Sequence, residues 1–359
     1  MANINELIEG FSFGQQQAIV GGSPVPAIAN PQIAANIWRQ TNLNTKPWAK
    51  MPINEDDKAE IGKGHEFATQ LFKSHYQNPD FEISKYCSSQ FIAWVMAFSL
   101  GNTTLSGSAP YTYTTTPALG SAARTLGGVS GVQSLELPYF THVQQIRPGG
   151  SAILDEAKIG CAVRSWKLSI KNSPGRASAM ISATCACTGQ YVAPSTITLP
   201  AATLLNEFNA GTITALSFNG VNYMSGASAS NFVSLDASWD NNFRPGYFPG
   251  SGNQDGYQIQ GRLEFGDRTF SVQYVVRVAA GSPEYGDLIA LTTGTSTVTF
   301  LRDSNNSFTM LIQKMAFQTA ELSNTDGIVT LQITGSQLYD PINGLVTMTT
   351  VTPQNGICQ

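Results

Sequence analysis

The sequence predicts a mainly β protein made of two tandem β-sandwich or half-barrel domains, each with one short α-helix. Three observations carry that expectation. Short segments rich in Thr, Val, Ile and aromatic residues alternate polar with apolar, and Gly, Pro, Asn and Asp punctuate them. Only two segments keep a clear helical character. One order of elements (strand, loop, hairpin, short helix, closing hairpin) occurs twice along 359 residues, a length that suits two domains or one large β domain. The expected boundaries are an N-terminal arm over 1–45, a first domain over 46–200 with an insertion at about 101–160, and a second domain over 201–359.

Residues 1–45 hold Gly21, Gly22, Pro24, Pro26 and Pro31 among Ala, Asn and Gln, without a sustained period. A short helix over 28–40 carrying Ile33, Ile37 and Trp38 is the one regular element expected there. Glu66–Phe72 and Asp80–Ser84 alternate as half-buried strands do. Cys87–Leu100 reads as a helix. Ser88 or Ser89 can cap it, Phe91, Val95 and Phe98 share a face, and Gly101 stands in the favoured post-helix position. Tyr111–Thr114 and Glu136–Thr141 read as short strands within the insertion. Arg164–Ile170 and Ala177–Thr188 form a hairpin across Asn172-Ser173-Pro174-Gly175.

In the second half, Phe232–Trp239 is a strand followed by a turn-rich stretch to Gly256. Tyr257–Phe265 and Thr269–Val278 are expected to pair across Gly266-Asp267. Ser282-Pro283-Glu284 opens a helix through Leu291, with Pro at its first position. Lys314–Leu322 and Ile328–Leu338 form the closing hairpin, and Asn343-Gly344 marks one more tight turn. Set side by side without gaps, Ser165–Ile170 falls on Ala316–Glu321 and Ala179–Ser182 on Thr330–Ile333.

Composition excludes several function classes. Charged residues are 12% of the chain, about half the usual share, and the net charge is −4, so the basic footprint of a nucleic-acid-gripping protein is missing. Phe91–Phe98, the longest clean apolar run, is too short to span a bilayer, and Glu6 and Glu9 precede the first basic residue, Arg39, so no signal peptide is expected. Five cysteines show neither CxxC nor CxxH spacing and read as buried free thiols made in a cytoplasm. His65, His75 and His142 have no metal-spaced partner and read as structural. Glu55, Asp56 and Asp57, with Glu60 and Glu66, form one acidic cluster. It matches no calcium-loop pattern, and a solvated loop explains it better than an acid/base pair does. Nucleophile-elbow, dinucleotide and P-loop patterns are absent. The expectation is no catalysis, no cofactor and no metal.

Three stretches resemble the tail tube proteins of long-tailed bacteriophages. The first is Gly64–Tyr86 leading into Ser89–Met96 and Leu100-Gly101. The second sets Tyr111–Tyr113 with Leu137–Thr141, followed by Val163–Ile170. The third is Ser238–Pro245 ahead of a Gly-rich loop. The resemblance is one of order and flavour. It implies a structural virion protein whose sheets join between subunits into a hollow tube, and whose homo-oligomeric rings stack. Those rings would be hexameric, or trimeric and pseudo-hexameric if both halves are tube domains. It also implies location in the virion tail, manufacture in the host bacterial cytoplasm, and tape-measure, terminator and distal tail proteins as partners. DNA would pass through the lumen without specific binding, and no membrane is involved.

On that resemblance, the loops at 54–63 and 241–256 reach an adjacent ring. Glu55, Asp56, Asp57, Phe243, Arg244, Tyr247 and Phe248 are the contact candidates, and packing of the second loop on its own domain is the rival account. Glu82, Asp236 and Glu264 are lumen-facing candidates. Two other functions stay open. One is a decoration or fibre protein with a carbohydrate-binding surface at 101–160, and the other is a β-sandwich hydrolase with converging carboxylates or a Ser/His pair.

Overall fold

A computed structural model describes residues 8–15, 37–38, 53–55, 71–73, 80–118, 124–126, 129–132, 137, 140–146, 154–172, 178–193, 207–225, 231–248, 259–264, 266–278, 283–325 and 328–353. In chain order the first half comprises β1 (Ile8–Gln15), β2 (Ile37–Trp38), β3 (Ile53–Glu55), β4 (Leu71–Lys73), β5 (Phe81–Tyr86), α1 (Ser89–Leu100), β6 (Gly101–Ser106), β7 (Tyr111–Pro117), β8 (Arg124–Leu126), β9 (Val129–Val132), β10 (Phe140–Ile146), β11 (Leu154–Lys171) and β12 (Ser178–Ala193). The second half comprises β13 (Ile213–Phe218), β14 (Val221–Asn222), β15 (Phe232–Asp240), β16 (Arg244–Phe248), β17 (Ile259–Glu264), β18 (Thr269–Arg277), α2 (Glu284–Ala290), β19 (Thr293–Asp303), β20 (Asn306–Thr325), β21 (Ile328–Gln337) and β22 (Val346–Thr352). The chain is mainly β. Eighteen strands are joined through one connected hydrogen-bonded sheet, and β3–β4 and β16–β17 form two separate ribbons.

The helix α1 forms where its sequence asks for one. The Ser88 side chain accepts a hydrogen bond from the Phe91 amide, and Gly101 takes the left-handed C-cap at φ 97°. All twelve of its residues are buried, not one face alone. A helix that is apolar all round belongs inside a core, and α1 lies against β11, β22, β7 and β6. Trp94 meets Phe140 edge-on at 4.7 Å, and the Ser89 hydroxyl donates to Asn306 at 2.8 Å, tying the helix start to β20. In contrast, α2 begins after Pro283, which is its N-cap and not its first helical residue, and Leu291 ends it with φ 51°.

A repeat is present in the topology, but its order differs from the expected strand, loop, hairpin, short helix and closing hairpin. A ribbon (β3–β4 or β16–β17) precedes a strand (β5 or β18), a helix follows, and a long strand (β11 or β20) then folds back through β12 or β21 onto the strand before the helix. Both long strands carry a bulge, at Val163/Ser165 and at Phe317/Thr319. A bulge bends a strand and raises its twist, and each long strand changes neighbours near that point. Matching the bulges sets Ser165 on Thr319, three residues from the gapless correspondence with Ala316.

Several pairings depart from expectation. β17 pairs with β16, not with β18, which instead sits between β15 and β21. β7 pairs with β6 and β22, whereas β10 pairs with β1 and β11, so the Tyr111 and Tyr139 stretches are not partners. Residues 101–117 and 140–146 are thereby woven into the main sheet. Ile37–Trp38 form a strand paired with Phe11–Ser12 in place of the expected helix, and Ile8–Gln15 of the expected arm pair with β10. One hydrophobic core draws from both halves, from Phe81 and Trp166 to Tyr274, Phe300 and Met348.

Candidate functional site: a continuous polar sheet face

Seven strands run edge to edge in the order β5, β12, β11, β15, β18, β21, β20. Side chains alternate across a strand with period two, so each register row belongs to one face. One face is core: Ile83, Ala183, Trp166 and Trp239 form one row, and Ala179, Ile170, Leu235, Tyr274 and Ile333 another, all buried.

The opposite face is polar almost throughout. Glu82, Thr184, Ser165, Asp240 and Thr269 make one row, and Ser84, Ser182, Lys167, Ser238 and Ser271 the next. A third runs Tyr86, Met180, Ser169, Asp236, Gln273, Thr334, Thr319, and a fourth continues through Lys171, Ser234, Val275, Gln332 and Glu321. None of these residues is buried. With Arg277, the charged residues are four acids (Glu82, Asp236, Asp240, Glu321) against three bases (Lys167, Lys171, Arg277), a near balance. A shallow open depression of about 360 Å³ lies on this face, edged by Ser165, Lys167, Ser182, Thr184, Ser238 and Asp240.

Two lumen-facing candidates, Glu82 and Asp236, fall on this one face. Glu82 is exposed. Asp236 accepts a hydrogen bond from the Ser169 hydroxyl at 2.6 Å and pairs with Lys167 at 3.1 Å. Both partners of that ion pair are about half exposed, so it contributes little stability. Glu264 does not belong to the face: β17 lies in the separate ribbon, where Glu264 stands opposite Arg244.

Among the contact candidates, Phe243 is buried in its own chain, in a small cluster with Leu137, Ala162, Ala186 and Leu263. At Phe243 this agrees with the rival account of the loop, and beside it the Asn241 and Asn242 carbonyls both accept from the Gly266 amide. Arg244, Tyr247 and Phe248 lie on β16 and Glu55 on β3, and Asp56 and Asp57 fall outside the described residues. So do His65 and His75.

The sequence did not single out Asn241 or the buried set around Lys158. Asn241 is fully buried, and its side-chain oxygen and both amide hydrogens are hydrogen-bonded. Lys158 lies 1% exposed with its ammonium 4.3 Å above the Phe81 ring, against whose other neighbour, His142, the ring stacks at 4.7 Å. Burial, aided by the Lys158 charge, holds His142 well below the ordinary histidine range. Burial also pushes the Cys161 and Cys185 thiols up, so they are inert as nucleophiles. Cys87, Cys161, Cys185 and Cys187 are buried free thiols, as their spacing suggests. Among the described residues no cluster of three or more His, Cys, Asp or Glu could hold a metal ion. No helix among them is long and apolar enough to cross a membrane.

No protein-family model matches this chain, and no curated protein matches its sequence.

Proposed function

We propose that this chain is a structural subunit that assembles with copies of itself into rings, and that the rings stack into a phage tail tube conducting DNA. The observation that carries the reading is the repeated strand–helix–strand unit, joined edge to edge inside one chain, with a largely polar face on one side. Sheets that continue from unit to unit remove the aggregation-prone edges of open sheets. The polar face is the lumen wall in this reading. Its Ser, Thr and Gln rows and its near balance of charge offer a phosphate backbone water and little attraction, so DNA slides without a salt-dependent grip. No catalytic group is needed, and the buried thiols and histidine serve packing.

Negative-stain electron microscopy of the concentrated chain, with mass photometry of the dilute sample, tests this. Hollow tubes of stacked rings are the expected result. A species that stays monomeric at every concentration overturns the reading.

A further inference from the structure

Three of the four free thiols among the described residues lie in one part of the core, on the β11–β12 ladder. Cys161 of β11 stands directly opposite Cys187 of β12, and the two are 0% and 2% exposed. Cys185 lies two positions from Cys187 on β12 and stands opposite Val163. The Cys161 thiol donates to the Lys158 carbonyl at 3.2 Å, and a thiol–thiol hydrogen bond links it to Cys187.

Strand geometry singles out one pair among the three. Directly opposed residues of antiparallel strands have Cβ atoms about 4.5–5.5 Å apart, and a disulfide takes about 3.5–4.5 Å. An approach of about 1 Å therefore suffices for Cys161 and Cys187. Cys161 and Cys185 are diagonal neighbours, about 7–8 Å apart. Cys185 and Cys187 are separated by about 6.8 Å along one strand, with side chains pointing the same way. Neither of those pairs closes without displacing the backbone. Cys87 meets β12 only at Ala179, away from the other three.

The backbone beside the pair is already irregular. The β11–β12 register slips between Val163 and Ser165, and the β10–β11 register slips where Phe140 and His142 face Cys161 and Lys158. Cys161 thus lies between two irregularities of its own strand, and strands bend at such points.

We propose that Cys161 and Cys187 are a dithiol–disulfide pair, which hydrogen peroxide closes into a cross-strand link stapling β11 to β12. One peroxide balances the reaction. The thiolate of one cysteine attacks a peroxide oxygen, the O–O bond breaks, and a sulfenic acid forms with release of one water. The thiol opposite then displaces the sulfenic hydroxyl as a second water, and the S–S bond closes. Two thiols lose two electrons and two protons, and the peroxide is reduced to two waters. Burial makes the first step slow, because it disfavours the thiolate, and the charge of Lys158 partly offsets this at Cys161. Peroxide enters through brief local opening of the ladder. The second thiol is then already opposite the first, so closure outruns further oxidation to the sulfinic acid. The pair is independent of the assembly reading above.

The test incubates the full folded chain with hydrogen peroxide, removes the peroxide, denatures the protein in N-ethylmaleimide and measures the intact mass. With five cysteines in the chain, five adducts are expected before oxidation and three after, with dithiothreitol restoring all five. Peptide mapping of the oxidised parent should join Cys161 to Cys187. Cys185→Ala should still lose two adducts to peroxide, whereas Cys187→Ala should form no link and leave Cys161 as a thiol or a sulfinic acid. The map of the parent decides the matter even if a variant folds poorly. Five adducts surviving peroxide, a link mapped to any other pair of cysteines, or thiols lost in the parent only as sulfinic acid overturns the proposal.

Discussion

Asn241 donates an amide hydrogen to the main-chain carbonyl of Ser99 at 2.9 Å, across 142 positions of sequence. Ser99 lies in the last turn of α1, whose final carbonyls have no partner within the helix. The same amide gives its other hydrogen to Val163 at 2.9 Å, beside the β11 bulge, and its oxygen accepts from the Trp239 indole at 2.9 Å. One buried side chain therefore ties the helix end, the bulge and the end of β15 together. Asn241→Leu strands two buried carbonyls and an indole N–H, and each costs on the order of 1–3 kcal/mol. The expected loss is about 3 kcal/mol in urea denaturation, and a loss below about 0.5 kcal/mol would show that water replaces the amide at little cost.

The acid side of the stability curve should belong to His142. It is held neutral in the fold by burial and by Lys158, and its folded pKa lies below the unfolded value of 6.5. The unfolded chain therefore binds a proton that the folded chain does not as pH falls below about 6.5. Stability is full above that pH and declines by up to about 1.4 kcal/mol per pH unit below it. Denaturation midpoints at pH 7.0, 6.0 and 5.5 should show this slope, and His142→Gln should flatten it. An unchanged slope in the variant assigns the effect to another group.

Both caps of α1 are local and separable. Ser88→Ala removes the acceptor for the Phe91 amide and should cost about 1 kcal/mol. Gly101→Ala places a Cβ at φ 97°, outside the regions that L-residues populate, and should cost at least as much. Thermal melts of the two single variants and the double give the check: nearly additive losses are expected from opposite ends of a twelve-residue helix.

Charge on the polar face should govern its behaviour toward DNA. The double variant Glu82→Lys and Asp236→Lys turns four acids and three bases into two and five, a change from −1 to +3. Neither side chain is buried, so folding stability should move by less than about 1 kcal/mol. Fluorescence anisotropy with duplex DNA should detect binding that weakens steeply with salt in the variant and negligible binding in the parent. Tight binding by the parent face would argue against a surface along which DNA slides.

Much of the local structure was legible because its causes are local. Ser88, the apolar run after it and Gly101 define α1 within a dozen residues, and Asn343-Gly344 makes its turn with Gly344 at φ 81°. Period-two alternation located β5, β11, β15, β18 and β21 and placed Glu82 and Asp236 on solvent-facing positions. The surroundings of Glu264 and Phe243 were not legible, for a different reason. Each was read from its own strand or loop, while the β16–β17 ribbon and the Leu137–Leu263 cluster bring in partners 20 to 106 residues away.

Local pattern alone establishes that the chain is mainly β, where its longer helix lies and which strand positions alternate between core and solvent. Only the tertiary structure decided which strands meet: β17 with β16, β7 with β22, and β15 between β11 and β18. The physical reason is that alternation encodes which face a residue takes, whereas backbone hydrogen bonds are alike for any neighbouring strand. Partner choice is set by side chains packed across the whole core, and a bulge such as that at Phe317/Thr319 shifts register without leaving a mark on the local pattern.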